Sequence, residues 1–446
     1  MIIRNGRVAF PERDEPQRAD LRVEEGIIAE IGKGLGGDSD VLDAGGLLVL
    51  PGGIDPHVHF DDPGYTHRED FTHGSMAAAA GGVTTVVDMP CTSVPPVTTL
   101  ANLETKLAAI AGKSVVDFGL YGGISRQSFD EGFPGNVREL APEVLGIKAY
   151  FVSGMDTFAR LDHWRFERLL TETASLGLPV LLHAEDFDYV SAAEPWARRR
   201  GNEPVRHYEA RPESAELLAA VCAVTLSRRT GAPLHLCHVG TAAAAEFTRG
   251  IRTVTCETAP HYLAFDLEDF ARIGAPLKIT PPVKPGQRDA LWRLLALNTV
   301  TFAASDHAPC PREEKETGSI WTDYSGIPGT GTLLPYLLSE GYLAGRLSLS
   351  RFTDVIAGSA ARRYGLADRK GHLVVGKDAD FALVDPEGNW TVEGARFLSK
   401  GKITPFEGMT LRGKVVKTLV RGRVVYDATE GIVAEPGWGR RLRRHA

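Results

Sequence analysis

The sequence predicts an α/β protein, namely a closed (β/α)8 barrel like that of triosephosphate isomerase, joined to a small β-sandwich built from both chain ends. Three observations lead to this prediction. Over residues 53–365, short apolar strands alternate with helical segments in about eight units, as a barrel requires. Residues 1–52 and 366–446 contain only short strands and turns. Polar side chains stand at the ends of several barrel strands, where the active sites of such barrels lie.

The two chain ends resemble each other and differ from the middle. "MIIRNGRVAF" and "VLDAGGLLVLPG" near one end, and "KDADFALVDPEGNWTV" and "GKVVKTLVRGRVVYD" near the other, read as strands separated by turns. Chain termini often lie close together in folded proteins, so both ends are expected to form one composite sandwich. The predicted domains are therefore 1–52 with 366–446, and 53–365. The basic tail "PGWGRRLRRHA" is expected to be a solvated end.

In the middle of the chain, each apolar strand follows a helix-like segment. "GVTTVVDMP" follows "HGSMAAAAGG", and "APLHLCHVGT" follows "AELLAAVCAVTLSRRTG". This order predicts parallel strands connected by crossover helices. The competing open, doubly wound sheet would carry a Gly-rich phosphate loop after its first strand, and no such loop follows "PGGIDPHVHF".

Composition narrows the class of protein. The 446 residues are 43% hydrophobic and 24% charged, as in soluble globular proteins, and the net charge of −7 gives no electrostatic basis for binding nucleic acid. No apolar run approaches the about 20 residues of a membrane helix, and no signal peptide is recognised, so a cytoplasmic enzyme is expected. The five cysteines are widely spaced and form no Cys-x-x-Cys pair, so any metal would have nitrogen and oxygen ligands.

Five polar residues stand at the ends of predicted barrel strands. In "PGGIDPHVHF", His57 and His59 lie one residue apart, which turns both imidazoles of a strand to one face. His183 ends "LPVLLH", His238 follows "LHLC", and Asp306 follows "FAAS". Each residue alone is compatible with an ordinary half-exposed loop position. Together, at one rim of a barrel, they are difficult to explain by packing and predict a metal site.

Lys148 lies within the apolar strand "VLGIKAYFV". A lysine in a buried strand is costly unless its charge is neutralised or paired. The alternative is that its side chain extends along the strand to solvent.

These motifs, in this order, resemble the amidohydrolase superfamily and, within it, the cyclic amidohydrolases: allantoinases, dihydroorotases and dihydropyrimidinases. The resemblance covers essentially the whole chain. It rests on "DPHVHFDDPGYTHREDF", "GIKAYF", "LLHAED", "LCHVGT", "APHYL", "SDHAPC" and "GKDADFALVD". It implies two divalent metal ions, zinc above all, and it implies that Lys148 is N-carboxylated by CO2 and bridges them.

The resemblance also implies the distribution of ligands and the reaction. One metal would be bound by His57, His59 and Asp306, and the other by His183 and His238. A hydroxide between the metals would attack the carbonyl carbon of a cyclic amide, and Asp306 would pass the proton to the leaving nitrogen. The expected partner is a small cyclic ureide or amide, with no nucleic acid or membrane, and a homo-oligomer (dimer or tetramer) is expected.

The choice of ring depends on positions where the cyclic amidohydrolases differ. Dihydroorotases typically read His-x-His-x-Arg, with Asn after Met-Pro and His at the end of the aspartate motif. This chain has Asp61, Cys91 and Cys310 there. These groups would not bind a carboxylate. The stretches "DMPCTSVPP", "SDHAPCP" and "GKVVKTLVRGRVVYD" resemble those of allantoinases, so hydrolysis of allantoin to allantoate is expected.

Dihydroorotase activity remains an alternative, because Arg68, Arg160 or Lys278 would supply a cation. A non-enzymatic scaffold is another alternative, but scaffolds of this family have lost metal ligands, and here every ligand position is filled.

Further candidate residues are less specific. Ser153 stands where hydantoinases have a tyrosine five residues beyond the lysine. His261 in "APHYL" and Gly326 in "SGIPGTG" are candidate substrate-binding residues, with a structural hydrogen bond and a plain turn as alternatives. Glu185 and His307, close to ligands in sequence, are candidates for orienting imidazoles, or are surface residues.

Overall fold

The computed structural model of the chain describes residues 1–36 and 40–444. The strands are β1 (Ile2–Val8), β2 (Gln17–Glu24), β3 (Ile27–Gly32), β4 (Val41–Asp43), β5 (Leu48–Pro51), β6 (Gly53–Val58), β7 (Val83–Asp88), β8 (Asp117–Leu120), β9 (Gly122–Gly123), β10 (Ile147–Tyr150), β11 (Val180–His183), β12 (Leu234–Leu236), β13 (Val254–Thr258), β14 (Phe302–Ala303), β15 (Phe381–Thr391), β16 (Thr410–Val420), β17 (Arg423–Asp427) and β18 (Gly431–Ile432).

The α-helices are α1 (Phe71–Ala80), α2 (Leu100–Ile110), α3 (Arg126–Gly132), α4 (Gly135–Leu140), α5 (His163–Ser175), α6 (Phe187–Arg198), α7 (Pro204–Ala210), α8 (Glu213–Thr230), α9 (Ala242–Glu246), α10 (Pro260–Ala264), α11 (Leu267–Ile273), α12 (Arg288–Ala296), α13 (Arg312–Lys315), α14 (Thr330–Tyr336), α15 (Leu349–Thr353) and α16 (Ser359–Arg363). Short 3-10 turns span Ala275–Leu277 and Gly394–Arg396, and π-helical turns span Leu337–Tyr342 and Asp354–Gly358.

Parallel strands form the barrel in the middle of the chain. β6, β7 and β8 pair in that order, and β9 to β14 pair in chain order with β9 continuing the path of β8, which gives eight strand positions. The barrel closes where Val58 bridges to His307 and the His59 N–H donates to the His307 carbonyl oxygen at 2.8 Å. The predicted (β/α)8 barrel is confirmed.

Both chain ends contribute to one nine-stranded sheet in the order β18-β17-β16-β15-β5-β1-β2-β3, with β4 paired to β1. The two ends meet where β5 pairs antiparallel with β15, with Pro51 opposite Phe381. The predicted composite β-structure from both termini is thus confirmed. The domain boundaries 1–52 with 366–446, and 53–365, stay a prediction.

The barrel strands are apolar because helices cover their outer face and side chains fill the interior. Every residue of β7 and of β11 is buried. α8 ends at Thr230 and is capped by Gly231, whose φ of 75° is the left-handed conformation that glycine adopts at low cost. This arrangement leaves the carboxyl ends of the strands open at one end of the barrel.

The basic tail differs from its prediction. Leu442 is buried, Arg441 forms an ion pair with Glu143, and the Leu442 N–H donates to the Phe118 carbonyl oxygen at 2.7 Å. The expectation of a solvated end is therefore wrong for Arg441 and Leu442, whereas Arg440 and Arg443 are exposed. Residues 445–446 lie outside the described residues. Within the described ranges, no helix is both long and apolar enough to cross a membrane.

Candidate metal centre and active site

The carboxyl ends of the barrel strands surround a cavity of about 520 Å³. Its wall includes five of the predicted ligands: His57, His59, His183, His238 and Asp306. A separate cavity of about 560 Å³ lies between α14 and the strands β15 and β16, and it contains none of these five side chains. The candidate active site is therefore the first cavity.

On one side of this cavity, two imidazoles face a carboxylate. Asp306 Oδ1 lies 3.2 Å from His57 Nε2 and 3.5 Å from His59 Nε2. Burial opposes ionisation of Asp306, but the neighbouring histidines outweigh it and hold the pKa of the carboxyl well below its ordinary value. The three side chains thus present two imidazole nitrogens and an ionised oxygen to one point, which is a set that zinc binds.

On the other side, two imidazoles face each other. His183 Nδ1 lies 3.1 Å from His238 Nε2. Burial lowers the pKa of both rings, so neutral imidazoles are favoured, and His238 Nδ1 has no hydrogen-bond partner in the described part of the chain. Neutral imidazole nitrogens that lack a proton donor are the form in which histidine binds metals.

Carboxylates behind the ligands fix their orientation. Glu257, on β13, accepts from His57 Nδ1 at 2.5 Å and lies 3.1 Å from His235 Nε2. Glu185 Oε2 lies 2.8 Å from His183 Nε2 and accepts from Arg211 at 2.5 Å. A carboxylate on one ring nitrogen turns the other nitrogen towards the cavity.

Of the two candidates for orienting imidazoles, the structure places only Glu185 on a predicted ligand. His307 Nε2 lies 3.1 Å from Glu69 Oε2, and its Nδ1 accepts from the Gly329 N–H at 3.1 Å. Sequence reasoning missed Glu257, although an acidic residue within the buried strand "VTCET" is the same signal as the lysine in "GIKAYF".

Lys148 is fully buried on β10. Its Nζ donates to Cys237 Sγ at 3.1 Å, and it forms no ion pair with a carboxylate anywhere in residues 1–36 and 40–444. Burial raises the pKa of Cys237 to about 12, so the thiol is neutral near neutral pH. The amine thus lacks an anionic partner, as expected of a lysine that is converted to an anion before it functions.

Two predicted ligands have unusual backbone conformations. His238 has a φ of 36° and Asp306 a φ of 50°, in the left-handed region that residues other than glycine rarely adopt. Such conformations persist where surrounding structure enforces them, and they concentrate at functional sites. No sequence pattern reveals them.

The predicted substrate-binding residues divide into two groups. Cys91, Ser153 and Gly326 line the cavity; the Cys91 thiol lies 3.0 Å from the Tyr150 hydroxyl, and the Ser153 hydroxyl donates to the Phe158 carbonyl oxygen at 2.7 Å. The structure does not place Asp61, His261 and Cys310 on the wall, although all three are buried. Burial raises the pKa of Asp61 to about 7 and lowers that of His261 to about 4.

Several cations on the wall were not recognised as a group from the sequence. Arg198 and Arg211 line the cavity together with Lys278, whereas Arg68 and Arg160 do not. Arg198 and Arg211 both pair with Glu194, and Lys278 donates to the Asp323 carbonyl oxygen. Burial lowers the pKa of Lys278 to about 8.

Known proteins resemble this chain over nearly its whole length. The model of the amidohydrolase family matches residues 48–425. An allantoinase from Rubrobacter xylanophilus is 40% identical over 437 residues, which cover 96% of this chain and 94% of that protein. An allantoinase from Solibacter usitatus is 37% identical over 447 residues, covering 98% and 95%. The L-hydantoinase (dihydropyrimidinase) from Arthrobacter aurescens superposes with a TM-score of 0.93 at 31% identity, covering 99% of each chain.

Proposed function

Because the chain belongs to the amidohydrolase family, we propose that it hydrolyses a cyclic amide, and that its substrate is allantoin, which it opens to allantoate. The family predicted from the motifs is confirmed, and the chain is a hydrolase of C–N bonds. The observation that carries the proposal is the convergence of four imidazoles, of which those of His183 and His238 are kept neutral by burial, and one ionised carboxylate on a single cavity. The near full-length likeness to allantoinases supports the choice of ring.

The proposed cofactor is a pair of zinc ions. The side chains fit it, because the rings of His183 and His238 approach nitrogen to nitrogen at 3.1 Å and burial favours their neutral forms. The residues that would hold the ions are His57, His59 and Asp306 for one, His183 and His238 for the other, and N-carboxylated Lys148 for both. When bound, such ions supply a hydroxide nucleophile near neutral pH and polarise the substrate carbonyl. Carboxylation of Lys148 by CO2 is proposed because its unmodified amine faces a neutral thiol and the ring of Tyr150, and no carboxylate in the described residues pairs with it.

Asp306 is the proposed proton carrier. Its carboxylate is ionised at neutral pH and lies at the cavity wall between His57 and His59. It would accept the proton of the attacking water and deliver it to the ring nitrogen as the C–N bond breaks. One proton of the water thus reaches the leaving ureido nitrogen, and the other stays on the new carboxylic acid, which releases it to solvent and becomes a carboxylate.

The wall opposite the ligands offers free backbone groups for the ring. Ser325 and Ser153 line the cavity, and no hydrogen bond in the described residues uses the backbone N–H or C=O of either serine. A cyclic ureide has alternating N–H donors and C=O acceptors along its edge. These peptide groups are complementary to that edge, which supports a role in binding for the predicted Gly-rich loop that begins at Ser325.

A dihydroorotase reaction is the second candidate. Lys278 places an ammonium on the cavity wall, and no carboxylate in the described part of the chain forms an ion pair with it. Such a cation would attract the carboxylate of dihydroorotate. The two candidate substrates differ in charge, because dihydroorotate carries a carboxylate and allantoin does not.

A panel of ring substrates tests the proposal. Purified, zinc-loaded protein is assayed with allantoin, dihydroorotate, hydantoin and dihydrouracil, with Asp306→Asn as the inactive control. We expect kcat/KM to be highest for allantoin. Efficient hydrolysis of dihydroorotate with none of allantoin would overturn the proposal in favour of the second candidate.

A further inference from the structure

Lys315 is a buried lysine whose hydrogen-bond partners are all backbone oxygens; burial lowers its pKa to about 7, and three carbonyl acceptors favour the ammonium form. Its side chain is 1% exposed. Its Nζ donates to the carbonyl oxygen of Gly326 at 2.6 Å, of Lys278 at 2.8 Å and of Tyr324 at 3.0 Å. Among the residues that the structure describes, no carboxylate forms an ion pair with it. An ammonium has three N–H donors, so all of them are used on main-chain acceptors.

The three carbonyl oxygens belong to the wall of the active-site cavity. Lys278, Tyr324 and Gly326 all line that cavity, and they lie on two separate segments of chain. The Gly326 N–H also donates to the Lys278 carbonyl oxygen at 3.0 Å, so the two segments meet at this oxygen. Lys315 therefore joins both segments from behind the wall.

The joined segment needs such a partner because it has little regular structure. Residues 323–326 belong to no helix or strand. Gly326 has a φ of 149°, and a side-chain carbon there would meet the Ala308 carbonyl oxygen at 2.3 Å, so the backbone packs closely at this point. Hydrogen bonds from a charged donor are stronger than those between neutral groups. The ammonium thus supplies the hydrogen bonds that a neighbouring strand would otherwise donate to these carbonyl oxygens.

We propose that Lys315 is a positioning residue: its ammonium holds the peptide groups of residues 324–326 against the cavity and so determines how tightly the cyclic substrate binds, without taking part in bond breaking. The inference rests on the proposed active site, because Ser325, the residue between two of its partners, carries the free backbone groups assigned to the substrate ring.

Kinetics of Lys315→Ala and Lys315→Gln test this role. Without the ammonium the wall is no longer held, so we expect KM for allantoin to rise about tenfold while kcat stays within about threefold, the pattern of lost uniform binding. The zinc content should not change. Glutamine supplies two N–H donors in place of three, so its KM should lie between those of the alanine variant and the unmodified protein.

Chemical rescue separates positioning from general stability. Methylammonium should lower the KM of Lys315→Ala because it restores N–H donors at the vacated position, whereas tetramethylammonium, which has none, should not. Lys370→Met is the matched control, since Lys370 is equally buried but pairs with carboxylates far from the cavity. This control should lose stability, keep its KM and show no response to amines.

An unchanged KM in both Lys315 variants would overturn the inference, as would a parallel loss of kcat and zinc. Equal rescue by tetramethylammonium would also contradict it. If Lys315→Ala does not fold, the KM of Lys315→Gln decides. If the unmodified protein does not hydrolyse allantoin, the proposed substrate fails, and the KM of the Lys315 variants is then measured with whichever ring the unmodified protein opens.

Discussion

Two buried polar clusters lie at opposite ends of the barrel and differ in how their charges are compensated. The ligand cluster, at the carboxyl ends of the strands, consists of His57, His59, Lys148, His183, His238 and Asp306. The base cluster, at the start of β8, consists of Asp117, Lys370, Asp378, Asp380 and Arg421. Both clusters are removed from water, but only one of them is complete by itself.

In the base cluster each carboxylate meets a cation. Lys370 Nζ lies 2.7 Å from Asp117, 2.9 Å from Asp378 and 2.6 Å from Asp380, and Arg421 also pairs with Asp117. Burial opposes the charge on Lys370, but the three carboxylates outweigh it and raise the pKa of Lys370 above its ordinary value. The three carboxylates are close enough to bind a metal ion, but an ammonium already occupies that position.

In the ligand cluster the pairing is incomplete, although Asp306 lies beside His57 and His59. Lys148 faces a thiol, and His183 faces His238. Unpaired buried groups cost free energy, so they persist where a ligand completes them. The two clusters therefore differ in how far their charges are compensated and not in whether they are buried. Four predictions test this distinction.

The largest effect is expected from Lys148→Ala. Activity should fall by at least about a thousandfold, because the proposed bridging ligand is lost, and the zinc content should fall with it. Because an uncompensated amine is removed, the free energy of unfolding of the metal-free protein should not decrease. Steady-state kinetics, elemental analysis and urea unfolding with a chelator measure the three quantities. Full activity in this variant would refute the assignment.

Lys370→Met should have the opposite effect. Three buried carboxylates would lose their common cation, which is expected to lower the free energy of unfolding by about 3–5 kcal/mol. Equilibrium unfolding in urea measures this loss, and kcat per folded molecule should remain that of the unmodified protein. If stability were unchanged and activity lost, the roles of the two clusters would be reversed.

Glu257→Gln tests a carboxylate that contacts the ligand cluster through the His57 ring and the His238 backbone N–H. Loss of its negative charge should weaken zinc binding by about 10–100-fold. Competition with a chromophoric chelator measures the affinity. Glu216→Gln is the matched control, because Glu216 is a buried carboxylate that pairs with Lys284 and contacts no ligand. Equal loss of zinc affinity in both variants would contradict the proposed orientation of His57.

The smallest effect concerns Lys278, an uncompensated cation on the cavity wall. Its pKa of about 8 means that it is charged below that pH and neutral above it. KM for dihydroorotate should therefore rise up to about tenfold as the pH passes through 8, while KM for uncharged allantoin stays level. KM profiles from about pH 6.5 to 9 measure this, with Lys278→Met as the control that should abolish the slope. A slope for both substrates would indicate another titrating group.

The fold and the converging ligands were predictable because both depend on local patterns. Apolar runs of strand length alternate with helical periods, and the carboxyl ends of parallel strands meet at one rim. Glu257 could not be assigned to His57, because the two residues lie 200 positions apart and only the closed barrel brings them together. The partners of Lys315 are backbone oxygens, which carry no sequence signal.

Some predicted positions need the course of loops, which sequence patterns do not define. Asp61 lies only two residues beyond His59 and its carboxyl is influenced by that ring, but its buried side chain does not line the cavity. Aligning Asp61 with the arginine of the dihydroorotase motif therefore showed which residue type is present, but not where its side chain lies relative to the cavity. The tail was expected to be solvated because it is rich in basic residues, but its one leucine, Leu442, is buried.

The pairing of β5 with β15 has a consequence for synthesis of the chain. Roughly 330 residues separate Pro51 from Phe381, so a ribosome working at about 5–20 residues per second needs about 15 to 65 s to produce the partner strand. During that time β5 presents an open edge in the nascent chain, and open edges pair with other chains. We therefore expect aggregation during expression to depend on the rate of translation of residues 53–380.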